Sequence, residues 1–191
     1  DGLAYLRTRG GLLALFLLMV AYNPLFQAAM VLAPGFTRDA LGGGSTEYGI
    51  LFAAYTAGLT AGAAALALYG SVNRLGRAIL AAGGLAWVWV AGLGASTSVP
   101  AAAACLGLMG FLLAVPNVLA PSAIQRSVPD EKRGMVMGIL VGAAGSLMPM
   151  GAVAGPLADA FSPRAVLLVV GFLGILVTVS ASLSRNLREL T

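Results

Sequence analysis

Arg77 and Arg126 bracket AILAAGGLAWVWVAGLGASTSVPAAAACLGLMGFLLAVPNVLAPSAIQ (78–125), 48 residues without a charge. A charge at the middle of a membrane-spanning helix costs roughly 2.5 to 3.5 kcal/mol on insertion scales. One span needs about 20 apolar residues. The stretch is therefore long enough for two spans. The break between them is Ser96-Thr97-Ser98-Val99-Pro100, a polar turn followed by a proline suited to the first turn of a helix.

Four more uncharged windows flank it. They hold 28 residues between Arg9 and Arg38, 26 between Glu47 and Arg74, 25 between Arg133 and Asp159, and 20 between Arg164 and Arg185. Each has room for one span. The expectation is an all-α membrane protein of six transmembrane helices, at about 11–33, 49–72, 78–95, 100–124, 135–157 and 164–184. Transmembrane strands would alternate apolar and polar residues, and these windows do not. Ser162-Pro163 reads as the N-cap and first turn of the last helix.

Composition agrees. Of the 191 residues 59% are hydrophobic and 9% charged, against about 25% charged in soluble domains. Mean hydropathy is +0.93. There is no His and one Cys, so the usual zinc ligands, a cysteine cluster and an internal disulfide are excluded. Cys105 reads as a small apolar filler. A net charge of +4 spread over the whole chain is no nucleic-acid footprint. Intramembrane serine catalysis would need a His base, and carboxylate catalysis would need acids inside the spans. No enzyme activity, cofactor or metal is expected.

Six spans put both ends on one side of the bilayer. That side gathers Arg7, Arg9, Arg74, Arg77, Arg126, Lys132, Arg133, Arg185 and Arg188, and the other holds Arg38 and Arg164. Nine against two places both termini in the cytoplasm by the positive-inside rule. Ten Arg against one Lys suggests a bacterial, GC-rich source and hence an inner membrane. Residue 1 is Asp, and 1–10 lacks a signal-peptide pattern. Those residues read as the tail of a cytoplasmic loop, so an upstream half is expected.

The six spans divide into two triplets with matching order. The first span of each carries a polar and proline pair that reads as an interruption: Tyr22-Asn23-Pro24 with Gln27, and Val115-Pro116-Asn117 followed by Pro121. Matched Pro-interrupted segments in two repeats point to a transporter binding site. The second spans are rich in glycine, with Gly58 and Gly62, then Gly138 with Gly142 and Gly151 with Gly155. That i, i+4 spacing lets helix backbones approach closely. The third spans are plainly apolar and read as lipid-facing. Trp87 and Trp89 read as lipid or core packing.

Several stretches carry a family resemblance. Gln125-Arg126-Ser127-Val128-Pro129-Asp130-Glu131-Lys132-Arg133-Gly134, then Pro149-Met150-Gly151 and Gly155-Pro156-Leu157-Ala158-Asp159, resemble the C-terminal half of a major facilitator superfamily transporter. The opening Gly2-Leu3-Ala4-Tyr5-Leu6-Arg7 resembles the link into that half. The overall pattern is most similar to bacterial exporters of drugs and siderophores. Asn73-Arg74-Leu75-Gly76-Arg77 stands where the family has D-R-x-G-R, with Asn in place of Asp. The resemblance implies two halves enclosing one cavity, lined by the first helix of each triplet. It also implies cytoplasmic-loop roles for Arg74, Arg77, Arg126, Glu131 and Arg133, of which the Arg residues read first as positive-inside anchors.

The expected half-cavity is Tyr22, Asn23, Gln27, Tyr55, Thr60 and Asn117, with Met and Phe such as Phe26 and Met30 around them. Such a wall is uncharged and adaptable. It suits a lipophilic or neutral organic solute, exported by alternating access. No Asp, Glu, His or Lys lies within these spans, so proton coupling is expected to run through the upstream half. The partners are then the lipid bilayer, a small-molecule substrate and an N-terminal six-helix half, or a second copy of this chain. The alternative is a self-contained six-helix protein, either a homodimeric half-transporter or a structural subunit.

Overall fold

The computed structural model describes residues 10–69, 74–146 and 150–184, and side chains at 140, 143–146 and 150–153 fall outside that description. The elements are α1 (Gly10–Leu41), α2 (Ser45–Tyr69), α3 (Leu75–Ala95), α4 (Val99–Ser127), α5 (Asp130–Ser146), α6 (Met150–Phe161) and α7 (Pro163–Ser182). Among the described residues there is no strand. Among those residues five helices, α1 to α4 and α7, are long and apolar enough to cross a membrane.

The expected span 135–157 falls on α5, 17 residues long, and α6, 12 residues long, with 147–149 between them outside the described residues.

The proline breaks differ from expectation. Pro24 and Pro34 lie inside α1, and Pro116 and Pro121 inside α4, yet both helices run through them. Each proline deletes one helical hydrogen bond, which a long apolar helix packed on neighbours tolerates. α1 continues to Leu41, with Arg38 in its last turn, where a cation suits the negative end of the helix dipole. The start of α2 is capped from within, as the Gly44 N–H donates to Glu47 Oε2 at 2.6 Å.

Leu15, Leu18, Tyr22, Leu25, Ala29, Leu32 and Phe36 are buried along α1. Their alternating steps of three and four make one continuous stripe. The neighbours form a loose ring: α2 packs on α4, α4 on α3, α3 on α7, and α7 on α1. The meeting of α1 with α2 and α4 is thin. α3 is thus not simply a lipid-facing helix. It buries Ile79, Leu80, Ala86, Trp87, Val90 and Leu93, and leaves Leu85 and Val88 outside.

α2 is the least enclosed of the long helices, burying only Leu51, Tyr55 and Gly62. Its seam with α4 depends on small residues. A Cβ on Gly58 would overlap the Gly107 carbonyl, and one on Gly62 would overlap the Phe111 carbonyl. From the other side, a Cβ on Gly110 would strike the Tyr55 carbonyl. Only glycine lets the two backbones come this close.

Candidate functional site

A cavity of about 250 Å³ occupies the thin meeting of α1 and α4. Met19, Val20, Tyr22, Asn23 and Phe26 line it from α1, Leu113, Pro116 and Asn117 from α4, and Trp87 from α3. No charged side chain is among them. The prolines shape it, since Pro24 leaves the Val20 carbonyl without its helical donor. The side-chain amides of Asn23 and Asn117 have no hydrogen-bond partner among the described residues. An amide at membrane depth needs a partner or a watery cavity.

Two aromatic side chains form the inner part of this site. The Tyr22 and Trp87 rings meet edge-on, with centroids 5.3 Å apart and planes at 66°. Each ring sits on a glycine of a neighbouring helix: Tyr22 against Gly83 and Trp87 against Gly174. The Thr178 hydroxyl donates to the Gly174 carbonyl at 2.8 Å. Its proton being used there, the Tyr22 hydroxyl donates to Thr178 Oγ1 at 2.7 Å. Trp87 Nε1 is buried and has no hydrogen-bond partner among the described residues.

The structure brings Tyr22, Asn23 and Asn117 together in the cavity wall. Tyr55 stands one ring behind it, its centroid 5.8 Å from that of Phe26. Gln27 is half-buried on α1, one turn beyond Asn23, and does not line the cavity. Thr60 is exposed and donates back to the Thr56 carbonyl at 2.9 Å. Five residues after Tyr55, it lies about 140° around the helix, which carries it away from the site. Sequence reasoning missed Trp87, Leu113 and the Thr178 support. The signals for them were Gly83 one turn before Trp87 and a hydroxyl in the otherwise apolar run of α7.

The expected interface glycines separate into two groups. Gly58 and Gly62 sit in the α2–α4 seam, whereas Gly138, Gly142 and Gly155 have open space where a side chain would be. Gly151 lies outside the described side chains. Among the loop residues, Arg133 donates to the Gln125 carbonyl at 3.0 Å and pairs with Asp130 at 2.7 Å. That ties the start of α5 to the end of α4. Arg126 and Arg133 share an open polar pocket with Ser122 and Gln125. Arg74, Arg77 and Glu131 are exposed.

An uncharged cavity inside a bundle of long apolar helices is the setting for moving a solute across a membrane. No curated protein and no solved structure matches this chain. The family model of the Major Facilitator Superfamily matches residues 11–189, and the chain belongs to that superfamily of membrane transporters.

Proposed function

We propose that the chain is one six-span half of an alternating-access exporter, with α5 and α6 together making the fifth span and the spans grouped as two triplets. The cargo is a small lipophilic or neutral organic solute, as for the drug and siderophore exporters the sequence resembles. The observation that carries this reading is the cavity wall: two amides without a partner among the described residues, Asn23 and Asn117, set among Met19, Phe26, Leu113 and Trp87, with no charge. An inorganic anion would want Arg or Lys there. A neutral solute with a few acceptors and donors on an apolar body fits it.

The partner is a second six-span unit, the N-terminal half of the same protein or another copy of this chain. Support comes from the uncovered small-residue faces: Thr56, Ala57, Thr60 and Ala61 on α2, and Gly138 and Gly142 on α5. Those faces can slide against a partner as the two units rock. Proton coupling then runs through that partner, since no charged side chain lines this cavity. Both termini face the cytoplasm of a bacterial cell, with the spans in its inner membrane.

The test is Asn23→Leu and Asn117→Leu in the complete protein, each followed by efflux and by membrane insertion. One hydrogen bond to the solute is worth about 1 kcal/mol, so each variant should lose roughly five- to ten-fold in apparent affinity while inserting normally. Unchanged efflux of both variants would sink the assignment.

A further inference from the structure

A second concavity lies on the outside of the bundle. It is a groove of about 430 Å³ between α3 and α7, lined by Arg77, Leu80, Ala81, Thr178, Val179 and Ser182. Val179, Leu176 and Leu183 extend its apolar surface along α7, each about half exposed or more. At one end stands Arg77, exposed and without a hydrogen bond or ion pair among the described residues. Arg74, three residues earlier and just ahead of α3, is likewise exposed and unpaired.

We propose that this groove binds an anionic phospholipid, the head-group phosphate on Arg77 and an acyl chain along Leu80, Ala81 and Val179. A guanidinium offers a planar pair of N–H donors that matches two phosphate oxygens. Its place at the end of a membrane-crossing helix is the depth of the phosphate layer. Basic pockets between spanning helices take anionic head groups in this way. The charge selects the occupant. Among the described residues no carboxylate lines the groove, so the ammonium of a zwitterionic lipid would find no counter-charge there. The apolar wall is too exposed for a water-filled site and wide enough for a chain.

The test uses the full-length protein, delipidated in detergent, with phosphatidylglycerol and phosphatidylcholine as probes and retention read by native mass spectrometry. Phosphatidylglycerol should be held in preference. Arg77→Ala should weaken its retention about five-fold, the worth of one cationic side chain near an anionic lipid. Val179→Trp, which fills the groove at a lipid-facing position, should remove it, and carries the test if Arg77→Ala does not fold. Arg38→Ala, at the opposite end of the bundle, should leave retention unchanged. Equal retention of the two lipids, or undiminished binding by either groove variant, would overturn the proposal. So would a dimer seated on this face in place of lipid.

Discussion

Tyr22 and Thr178 stand 156 positions apart and share a buried hydrogen bond of 2.7 Å. Tyr22 belongs to the cavity wall and Thr178 to the outer groove, so this bond is the partition between the two. The Thr178 proton is committed to the Gly174 carbonyl, which fixes Tyr22 as the donor.

Removing either partner should therefore cost little but measurably. Hydrogen bonds between membrane helices average about 0.6 kcal/mol in double-mutant cycles. Tyr22→Phe and Thr178→Val should each destabilise by about that amount or slightly more, and the double variant by less than their sum. Unfolding in detergent measures all three. Strict additivity would mean that the pair contributes no coupling.

Trp87 gives a larger effect. Its indole lies on Gly174 so closely that a Cβ there would overlap the ring. Gly174→Ala should push the indole toward the cavity, with an overpacking cost of about 1 to 3 kcal/mol. Combining it with Trp87→Phe should recover much of that loss, because the smaller ring leaves room and Phe has no N–H to satisfy. Phe at 87 alone should be mild, since the buried Nε1 has no partner to lose. A double variant no more stable than Gly174→Ala would refute this seating.

Much of this architecture was legible from charge spacing. The charge-free windows locate α1 to α4 and α7, because one misplaced charge at mid-membrane outweighs most local preferences. The fifth window falls on α5 and α6, with 147–149 outside the described residues. At the site, Tyr22, Asn23 and Asn117 were visible because polar residues in apolar helices stand out. Trp87 did not, since an aromatic residue in an apolar helix fits lipid and core equally well. Which of these applies depends on α3 lying between α4 and α7, a tertiary fact. Thr60 misled for a related reason: its polarity was noted without its angle around α2.

Opposite signs are expected for two glycine substitutions. Gly→Ala favours a helix by about 1 kcal/mol where nothing obstructs the new methyl. At Gly138 nothing lies within 4 Å, so Gly138→Ala should leave stability equal or higher. At Gly62 the methyl would strike the Phe111 carbonyl and come within 2.7 Å of Ala114 Cβ. The backbones must then part, at a cost of about 1 to 3 kcal/mol that exceeds the helix gain. Thermal unfolding separates the two. Transport adds a second readout: a stable Gly138→Ala protein with impaired efflux would point to a partner on that face. A Gly62→Ala protein as stable as the parent would contradict the close seam.

Ser162 joins α6 to α7 with φ of +98° and ψ of 144°. A side chain in that region costs about 1 to 3 kcal/mol, and glycine occupies it without strain. The same serine caps α7, accepting from the Ala165 N–H, but at 3.4 Å the bond is long. Replacing a cap by glycine costs only a few tenths of a kcal/mol. Strain relief should exceed cap loss, so Ser162→Gly is expected to stabilise by about 1 kcal/mol. Ser162→Ala keeps the strained backbone and forfeits the cap, so it should destabilise by about 0.5 to 1 kcal/mol. Unfolding of the two variants side by side checks this. Destabilisation by both to the same extent would mean that the cap, not the backbone, governs this turn.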